Sequence, residues 1–334
     1  MSKLTNRKKI VVLVLGFRAL SFIKKGYLAS IIKAADKIKN AKVDIVYLDN
    51  YSRDGSVPYI MKNYKNIDLL SATENYFYCK GVNVGLQFSY QKYRPDYFML
   101  VDADNPCEES AYGKLIDFAN KNAKVGIVQP LVKGLSDSNR VYSCGHVYEN
   151  GISCRPLREI PKNKKILLNL QSCSISSTLV KTKVFEKCGL LDPIFKIYYE
   201  SSDLSFRARK AGFLCACHVE AVCFNEGAKV SKTDNFHEGY FRNRNNLIFW
   251  KKHDNEKYEI LKKIYQERHK QLNVKLANLK YVTDMEEESE RRGIEDGIKI
   301  TKKMVAGIKN EERIDKFDKT DAIVIQEACK NNEK

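Results

Sequence analysis

The sequence predicts an α/β protein with a mostly parallel central sheet over residues 1–252 and a charged helical extension over residues 253–334. Three observations support this fold class. Apolar runs rich in β-branched residues alternate with polar, helix-permissive segments, as in doubly wound sheets. After Asp254 the composition shifts to Lys, Glu, Asn and Ile, without an obvious strand pattern. A length of 334 residues with 43% hydrophobic content is enough for one large core.

The first half of the chain alternates predicted strands and helices. Nearly continuous apolar runs predict buried parallel strands over residues 10–17, 43–50, 67–73, 97–104 and 125–132. The polar segments between them predict helices over Phe22–Lys39, Ser56–Asn63, Lys80–Lys92 and Glu109–Asn122. The repeated βα pattern implies right-handed crossovers and helices on both faces of the sheet.

After Lys133 the pattern changes to a mixed one. A hairpin is predicted near residues 141–151, followed by one or two strands over residues 166–181 and a short helix over residues 182–188. A loop that leads into a helix is predicted over residues 190–213, a strong strand over residues 213–224 and a last helix over residues 236–252. In the extension, Ile264, Leu272 and Leu276 recur at near-helical spacing. We expect this helix to pack on the body or on a second copy in a homodimer; a membrane-facing helix is the alternative.

The charge indicates anionic partners. The formal net charge is +17, of which +15 falls in residues 1–250. Nucleic acid, an anionic membrane face and phosphorylated substrates all fit such a charge. A nucleic-acid-binding protein is disfavoured because no interleaved aromatic and basic patch and no known module occur in the sequence.

The cysteines and the apolar segments indicate a compartment. Ten cysteines are scattered without a Cys-x-x-Cys pair, which predicts buried thiols in a reducing environment rather than a zinc or disulfide framework. No apolar run approaches the ~18–20 residues of a membrane span, and the first run ends at Gly16, which is short for a secretory signal. We expect a cytoplasmic protein, or one at the inner face of the membrane.

Polar side chains follow the predicted strands at the sheet edge where open α/β folds bind ligands. Asp102 and Asp104 follow one strand, and two carboxylates so close favour a divalent cation. Asp49, Asn50 and Ser52 follow another strand, where Asp49 and Asn50 can hydrogen-bond a base or ribose.

A helix is predicted to start near Gly81 and Asn83, and its amides suit a diphosphate. Close packing of helix on sheet is the alternative reason for the neighbouring Gly85.

These segments, in this order, resemble glycosyltransferase family 2, the inverting GT-A enzymes, and are nearest to its bacterial rhamnosyltransferase-like branch. The family's "DNxSxDGS" stretch is matched by Asp49, Asn50, Ser52, Asp54, Gly55 and Ser56. Its "ENxGxxxGxNxGL" stretch is matched by Glu74, Asn75, Gly81, Asn83, Gly85 and Leu86. Its later "YYExxDLxxR" and "RNR" stretches are matched by Tyr198, Tyr199, Glu200, Asp203, Leu204, Arg207, Arg242, Asn243 and Arg244.

The resemblance covers residues 9–252 and implies a GT-A fold, the Rossmann-like fold of nucleotide-diphospho-sugar transferases. It implies a nucleotide-binding half over about residues 9–132 and an acceptor and catalytic half over residues 133–252. Asp49 would contact the base and Asp102 the ribose, while Asp104 would bind the Mg²⁺ or Mn²⁺ that bridges the diphosphate. The implied donor is a UDP-, dTDP- or GDP-linked sugar, and the acceptor is a glycan or lipid-linked hydroxyl in surface polysaccharide synthesis.

The sequence departs from the family at two positions. The expected base follows the Glu, but position 201 is Ser, so Glu200 or Asp203 must take the proton. Relatives often place a metal-binding His where this chain has Asn225, whose carbonyl oxygen can still bind a hard cation. These departures leave an alternative, a GT-A-fold protein that binds sugar nucleotide or glycan with weak or no transfer.

Overall fold

A mixed sheet runs through the middle of the molecule, with helices on both faces. The computed structural model describes residues 7–39, 41–225, 232–277, 285–304 and 312–328. The strands are β1 (Lys8–Gly16), β2 (Ala41–Asp49), β3 (Asp68–Ala72), β4 (Tyr97–Asp102), β5 (Val125–Gly134), β6 (Val141–Ser143), β7 (His146–Glu149), β8 (Ser153–Pro156), β9 (Ile166–Leu168), β10 (Thr178–Lys181), β11 (Leu214–Asn225) and β12 (Ala322–Gln326).

The helices fill the connections between these strands and form the carboxyl-terminal extension. They are α1 (Leu20–Lys24), α2 (Tyr27–Asp36), α3 (Ser56–Asn63), α4 (Phe77–Tyr93), α5 (Ala111–Lys121), α6 (Thr182–Cys188), α7 (Glu200–Lys210), α8 (Lys232–His253), α9 (Asn255–Ala277) and α10 (Met285–Lys303). A single 3₁₀ turn, Pro193–Phe195, precedes α7 in the described chain. Within the residues described, no helix is both long and apolar enough to cross a membrane.

The strand order of the main sheet is β12-β3-β2-β1-β4-β10-β5-β11-β9, and β6 joins β5. The four strands β3, β2, β1 and β4 are parallel, as the sequence predicts. Strand β10 is antiparallel and lies between β4 and β5, while β11 is parallel to β5. The parallel strands therefore end at one edge of the sheet, which is where the candidate site lies.

The two faces of the sheet bury separate apolar clusters. Along β1, Val11 and Leu13 point into one cluster, whereas Ile10 and Val12 point into the other. The first cluster is covered by helices that include α4, and Gly85 allows this contact, because a Cβ there would lie 2.5 Å from Leu13 Cδ1. This alternation is the two-residue period of a strand buried on both faces.

The structure corrects two predicted elements. The predicted helix Phe22–Lys39 is divided into α1 and α2 at Gly26, which has a φ of 89° that favours glycine. The expectation of an entirely helical extension is wrong at Ala322–Gln326, which forms β12 and pairs antiparallel with β3. This short β-branched stretch supplies the hydrogen bonds that the edge of β3 would otherwise lack.

The extension packs on the body through small residues. Helix α10 lies against α8 so closely that a Cβ on Gly293 would lie 2.4 Å from the Tyr240 carbonyl oxygen, and one on Gly297 would lie 2.7 Å from Leu247 Cδ1. Ser289 faces Gly239 in the same interface. The four-residue spacing of Ser289, Gly293 and Gly297 forms one small-residue stripe that lets the two backbones approach.

Candidate active site

The predicted ligand-binding edge forms where β2 and β4 end on either side of β1. Asp49 lies beside Gly16 and Asp102 lies beside Leu15 in the two parallel ladders. The chain stays bound to β1 just after each strand, since Asn50 N donates to Gly16 O (2.7 Å) and Ala103 N donates to Leu15 O (2.9 Å). The end of one buried strand therefore fixes both carboxylates.

Asp49 is almost fully buried at this edge. Its Oδ2 accepts a hydrogen bond from Ser52 N (2.9 Å), while its Oδ1 is buried with no hydrogen-bond partner among the described residues. Burial raises the pKa of Asp49. A buried acceptor without a partner is costly, so a donor group on a ligand would stabilise this oxygen.

Ser52 serves the protein rather than an open cleft. It is 7% exposed, and its Oγ accepts a hydrogen bond from Arg18 N (2.9 Å), which joins the loops after β1 and β2. Ser52 therefore shapes the loops at this sheet edge, and its role as a donor ligand stays a prediction.

The Asp102 and Asp104 pair follows β4. Asp102 Oδ2 accepts from Ser176 Oγ (2.7 Å), and its Oδ1 is buried without a hydrogen-bond partner in the described residues. Burial, together with the charge of Asp104, raises the pKa of Asp102 to about 7. A bound divalent cation would reverse this effect, because its charge favours the carboxylate form.

The residues at this turn fit a hard cation in part. The pair offers carboxylate oxygens, which suit Mg²⁺ or Mn²⁺, and one of them has an unmet acceptor. Over the described ranges, no three His, Cys, Asp or Glu side chains gather as a metal cluster. A cation here would therefore take its remaining ligands from the diphosphate and from water, which is common for Mg²⁺.

Asn225, at the end of β11, lies beside the same turn. Its Nδ2 donates to Asn105 Oδ1 (3.1 Å), and Asn105 also bonds Ser176. This network places Asn225 next to the residue that follows Asp104. Its role as a metal ligand stays a prediction.

Glu200, the first residue of α7, lies within electrostatic range of Asp102. It is 8% exposed, and its Oε2 has no hydrogen-bond partner within the part of the chain that is described. Burial raises the pKa of Glu200 to about 7, the charge of Asp102 adds to this rise, and Arg242 opposes it. A carboxylate in such surroundings suits a general base near neutral pH.

Asp203 cannot act as that base. Its side chain is fully buried and contacts Arg207 Nη2 (2.7 Å), Lys252 Nζ (2.8 Å) and His253 Nε2 (2.8 Å). Burial alone would raise the pKa of Asp203, but the charges of Arg207 and Lys252 and the hydrogen bond with His253 hold it well below its usual range. Both oxygens are occupied and the proton affinity is low, so the prediction of Asp203 as an alternative base is corrected to a structural role.

Asn50 is also corrected to a structural role. Its Nδ2 donates to Phe77 O (2.8 Å), and its Oδ1 accepts from Tyr76 N (3.0 Å). Both polar groups of the Asn50 side chain therefore bind the loop before α4 rather than a base or ribose.

Gly81 and Asn83 lie inside α4 rather than at an anion-binding helix start. A Cβ on Gly81 would lie 3.2 Å from Leu15 Cδ1, so this glycine serves close packing. Asn83 is fully buried, and its amide pairs with both the N–H and the C=O of Leu191 at 3.1 and 2.8 Å. Neither residue has a free group for a ligand.

The amino terminus of α4 is itself occupied. Tyr78 N and Cys79 N both donate to Lys196 O, at 3.0 and 2.9 Å. These are the amides that a diphosphate would need, so the predicted phosphate site at this helix start is wrong.

Sequence patterns missed the residues that support the carboxylates. Ser176 and Asn105 bond around Asp102, and the Tyr78 phenol interacts with Asp102 and Glu200. Ser176 lies 74 positions from Asp102 in the chain, so no local motif joins them. Asn105 directly follows the Asp-x-Asp segment and could have been found there.

Comparison with known proteins identifies the family. The family model described as glycosyl transferase family 2 matches residues 22–189, half of the chain. The low-salt glycan biosynthesis hexosyltransferase Agl10 of Haloferax volcanii is 22% identical over 208 residues, which are 60% of this chain and 66% of that protein, just under two thirds of its length.

Solved structures of other proteins share the fold. The crystal structure of S. aureus TarS 1–349 superimposes with a TM-score of 0.54 and 15% identity, covering 88% of this chain and 81% of that one. The structure of GalNAc-T7 with UDP, GalNAc and Mn²⁺ gives a TM-score of 0.58 and 14% identity, covering 90% and 58%. The TarS structure in complex with UDP-GlcNAc gives a TM-score of 0.51 and 15% identity over 88% and 81%. This α/β chain, with its GT-A-like sheet, therefore belongs to glycosyl transferase family 2.

Proposed function

We propose that this chain is an inverting, metal-dependent glycosyltransferase that moves a sugar from a nucleoside diphosphate donor to an acceptor hydroxyl in the synthesis of a surface polysaccharide or another glycan. The observation that carries the proposal is the buried Glu200 carboxylate, which has an unpartnered oxygen and interacts electrostatically with Asp102. Family membership and the Agl10 hexosyltransferase relative support the reaction class.

In this mechanism Asp49 binds the base of the donor through its free oxygen, and Asp102 lies by the ribose. The Asp104 side of the turn would hold Mg²⁺ or Mn²⁺, which would supply neutralisation of the charge on the leaving diphosphate. Glu200 takes the proton from the acceptor hydroxyl as its oxygen attacks the anomeric carbon. The bond from that carbon to the diphosphate breaks on the opposite side, which inverts the configuration.

The neighbours bound to UDP-GlcNAc, or to UDP with Mn²⁺, favour UDP as the first donor nucleotide to test. The motif order supports placement in the bacterial rhamnosyltransferase-like branch. We also propose a glycan or lipid-linked acceptor, a cytoplasmic location with peripheral contact at the inner membrane face, and a homodimer through the carboxyl-terminal helices. The positive charge of the first 250 residues supports the membrane contact.

A second candidate is a protein of the same fold that binds sugar nucleotide with weak or no transfer. Ser201 stands where the family places its base, and Asp203 is neutralised by its cationic neighbours. In this candidate the sheet edge binds the nucleotide donor, but Glu200 does not take a proton from an acceptor.

Thermal unfolding tests both candidates. The diphosphates of uridine, thymidine, guanosine and cytidine, and their sugars, are each added with and without Mn²⁺. A ligand at ~100 times its dissociation constant stabilises by about 2.7 kcal/mol, a shift of roughly 5–10 °C. We expect one base to give a Mn²⁺-dependent shift that Asp104→Ala removes. Absence of any shift contradicts the donor site, whereas a shift without sugar transfer favours the binding protein.

A further inference from the structure

The loop that leads into Glu200 has an unusual backbone. Lys196 has a φ of 60° and a ψ of −65°, and Ile197 N donates to Phe195 O (2.7 Å), which together form a γ-turn. Tyr198 and Tyr199 follow with φ values of 66° and 68°. Non-glycine residues rarely adopt such angles, and this form of γ-turn is strained. A run of three such residues within four positions persists only where its surroundings hold it.

A single side chain on α8 contacts this loop at three points. Asn245 Nδ2 lies 2.8 Å from Phe195 O, 2.8 Å from Ile197 O and 2.9 Å from Tyr198 O. Asn245 is fully buried, so water does not compete for these bonds. The neighbouring Arg244 adds a bond from Nη1 to Ile194 O (2.9 Å). The amide of Asn245 therefore binds the carbonyls on both sides of the strained turn.

The same loop sets two parts of the candidate site. At one end, Tyr199 O accepts from Asp203 N (2.8 Å) in the first turn of α7, so the loop fixes the start of the helix where Glu200 lies. In its middle, Lys196 O accepts the two amides that open α4, where Tyr78 faces Asp102. A shift of the loop would move Glu200 and Tyr78 together.

We propose that Asn245 is a positioning residue for the transfer reaction: its amide holds the loop 195–199 in its strained form and so aims the Glu200 carboxylate at the acceptor hydroxyl. This inference rests on the proposed function. Asn245 touches no reacting atom and acts through the loop.

The chain provides a matched control one position further along α8. Asn246 is also buried, at 3% exposure, but its Nδ2 bonds Tyr265 Oη (3.1 Å) on α9. Replacing either residue by Leu keeps much of the side-chain volume and removes the amide. Asn245→Leu and Asn245→Ala therefore test the loop contacts, and Asn246→Leu tests a general loss of a buried amide.

The experiment measures three quantities on the full chain. The first is the UDP-dependent shift of the melting temperature in Mn²⁺, which reports donor binding at the sheet edge. The second is kcat for sugar transfer to water from a panel of UDP-, dTDP- and GDP-linked sugars. The third is hydrogen exchange of the backbone amides in residues 194–204.

We expect Asn245→Leu and Asn245→Ala to lower kcat by about 10–100-fold, because a misplacement near 1 Å can cost about 10²-fold. The affinity for UDP derived from the thermal shift should change by less than a factor of two. Hydrogen exchange of the backbone amides in residues 194–204 should become at least ten times faster. Asn246→Leu should leave kcat and that exchange within a factor of two.

Equal loss of kcat in the Asn245 and Asn246 variants, or unchanged exchange in the Asn245 variants, overturns the proposal. If no Asn245 variant folds, hydrogen exchange in the unsubstituted chain tests the proposal. The amide of Ile197 must then be protected, and exchange at the rate of an unstructured peptide contradicts a loop 195–199 held in its strained form by Asn245. A wild-type chain with no UDP shift and no sugar transfer refutes the proposed function instead, while the exchange result still reports on Asn245.

Discussion

Two buried carboxylates of α7, Glu200 and Asp203, lie one helical turn apart but in opposite surroundings. Glu200 has an unpartnered oxygen and a pKa raised to about 7. Asp203 contacts Arg207, Lys252 and His253 and has a lowered pKa. In the proposed mechanism, one sequence segment therefore supplies one group for proton transfer and one for structure, and the α8 side chains Lys252 and His253 contact the structural one, Asp203.

The largest expected effect is on catalysis at Glu200. Glu200→Gln removes the proton acceptor with little change in volume, so kcat should fall by about 10²–10⁴-fold. Donor binding should persist, since the proposed base and ribose contacts lie at Asp49 and Asp102. Steady-state kinetics with parallel UDP titrations in Mn²⁺ would measure both, and an unchanged kcat would show that another group takes the proton.

At Asp203 the expected effect is on the stability of the fold. Asp203→Asn leaves Arg207 and His253 without their carboxylate, which should lower the free energy of unfolding by about 3 kcal/mol. This is near the lower end for a broken buried ion pair, because Lys252 keeps its other carboxylate partner, Asp192, at 2.6 Å.

Urea unfolding measures this cost, with Asp315→Asn as the control in the exposed pair with Arg313. The control should lose less than about 1 kcal/mol. If kcat per folded molecule falls as far in Asp203→Asn as in Glu200→Gln, the two carboxylates do not have separate roles.

A smaller effect is expected where α10 packs on α8, the helix that carries Lys252 and Asn245. Gly293→Ala places a Cβ 2.4 Å from the Tyr240 carbonyl oxygen and should cost about 1–3 kcal/mol. Gly113→Ala on α5 meets nothing within 4 Å and should instead stabilise by about 0.4–1 kcal/mol. Thermal melts of the two variants should move in opposite directions; equal shifts would mean that the α8–α10 contact is not tight.

The fold was largely predictable because its first half repeats a simple pattern. Parallel strands buried on both faces give continuous apolar runs, and the polar residues after them must meet at one edge, so Asp49 and Asp102 could be placed from sequence. Strand β12 was missed because its five residues lie in a charged segment and gain their partner from β3, far away in the chain.

The roles of single polar residues were less predictable, because their partners are remote in sequence. Asp203 meets His253 across 50 positions, and Asn83 meets Leu191 across 108. A family motif indicates that such residues matter but not whether they face a ligand or the core. The role of Glu200 as base stays a prediction, and its separation from Asp203 required the positions of Lys252 and His253.

The pH dependence of kcat/KM tests the role of Glu200 most directly. An ordinary Glu has a pKa near 4.3, whereas burial raises that of Glu200 to about 7. A general base must be deprotonated, so kcat/KM should fall as the pH drops through about 7. Glu200→Gln should remove this acid limb from its residual activity. The assays use saturating Mn²⁺, because a bound cation would keep Asp102, whose pKa is also raised to about 7, in its carboxylate form. Under these conditions, an acid limb near pH 4, or one near pH 7 that survives in Glu200→Gln, would contradict the assignment of Glu200 as the base.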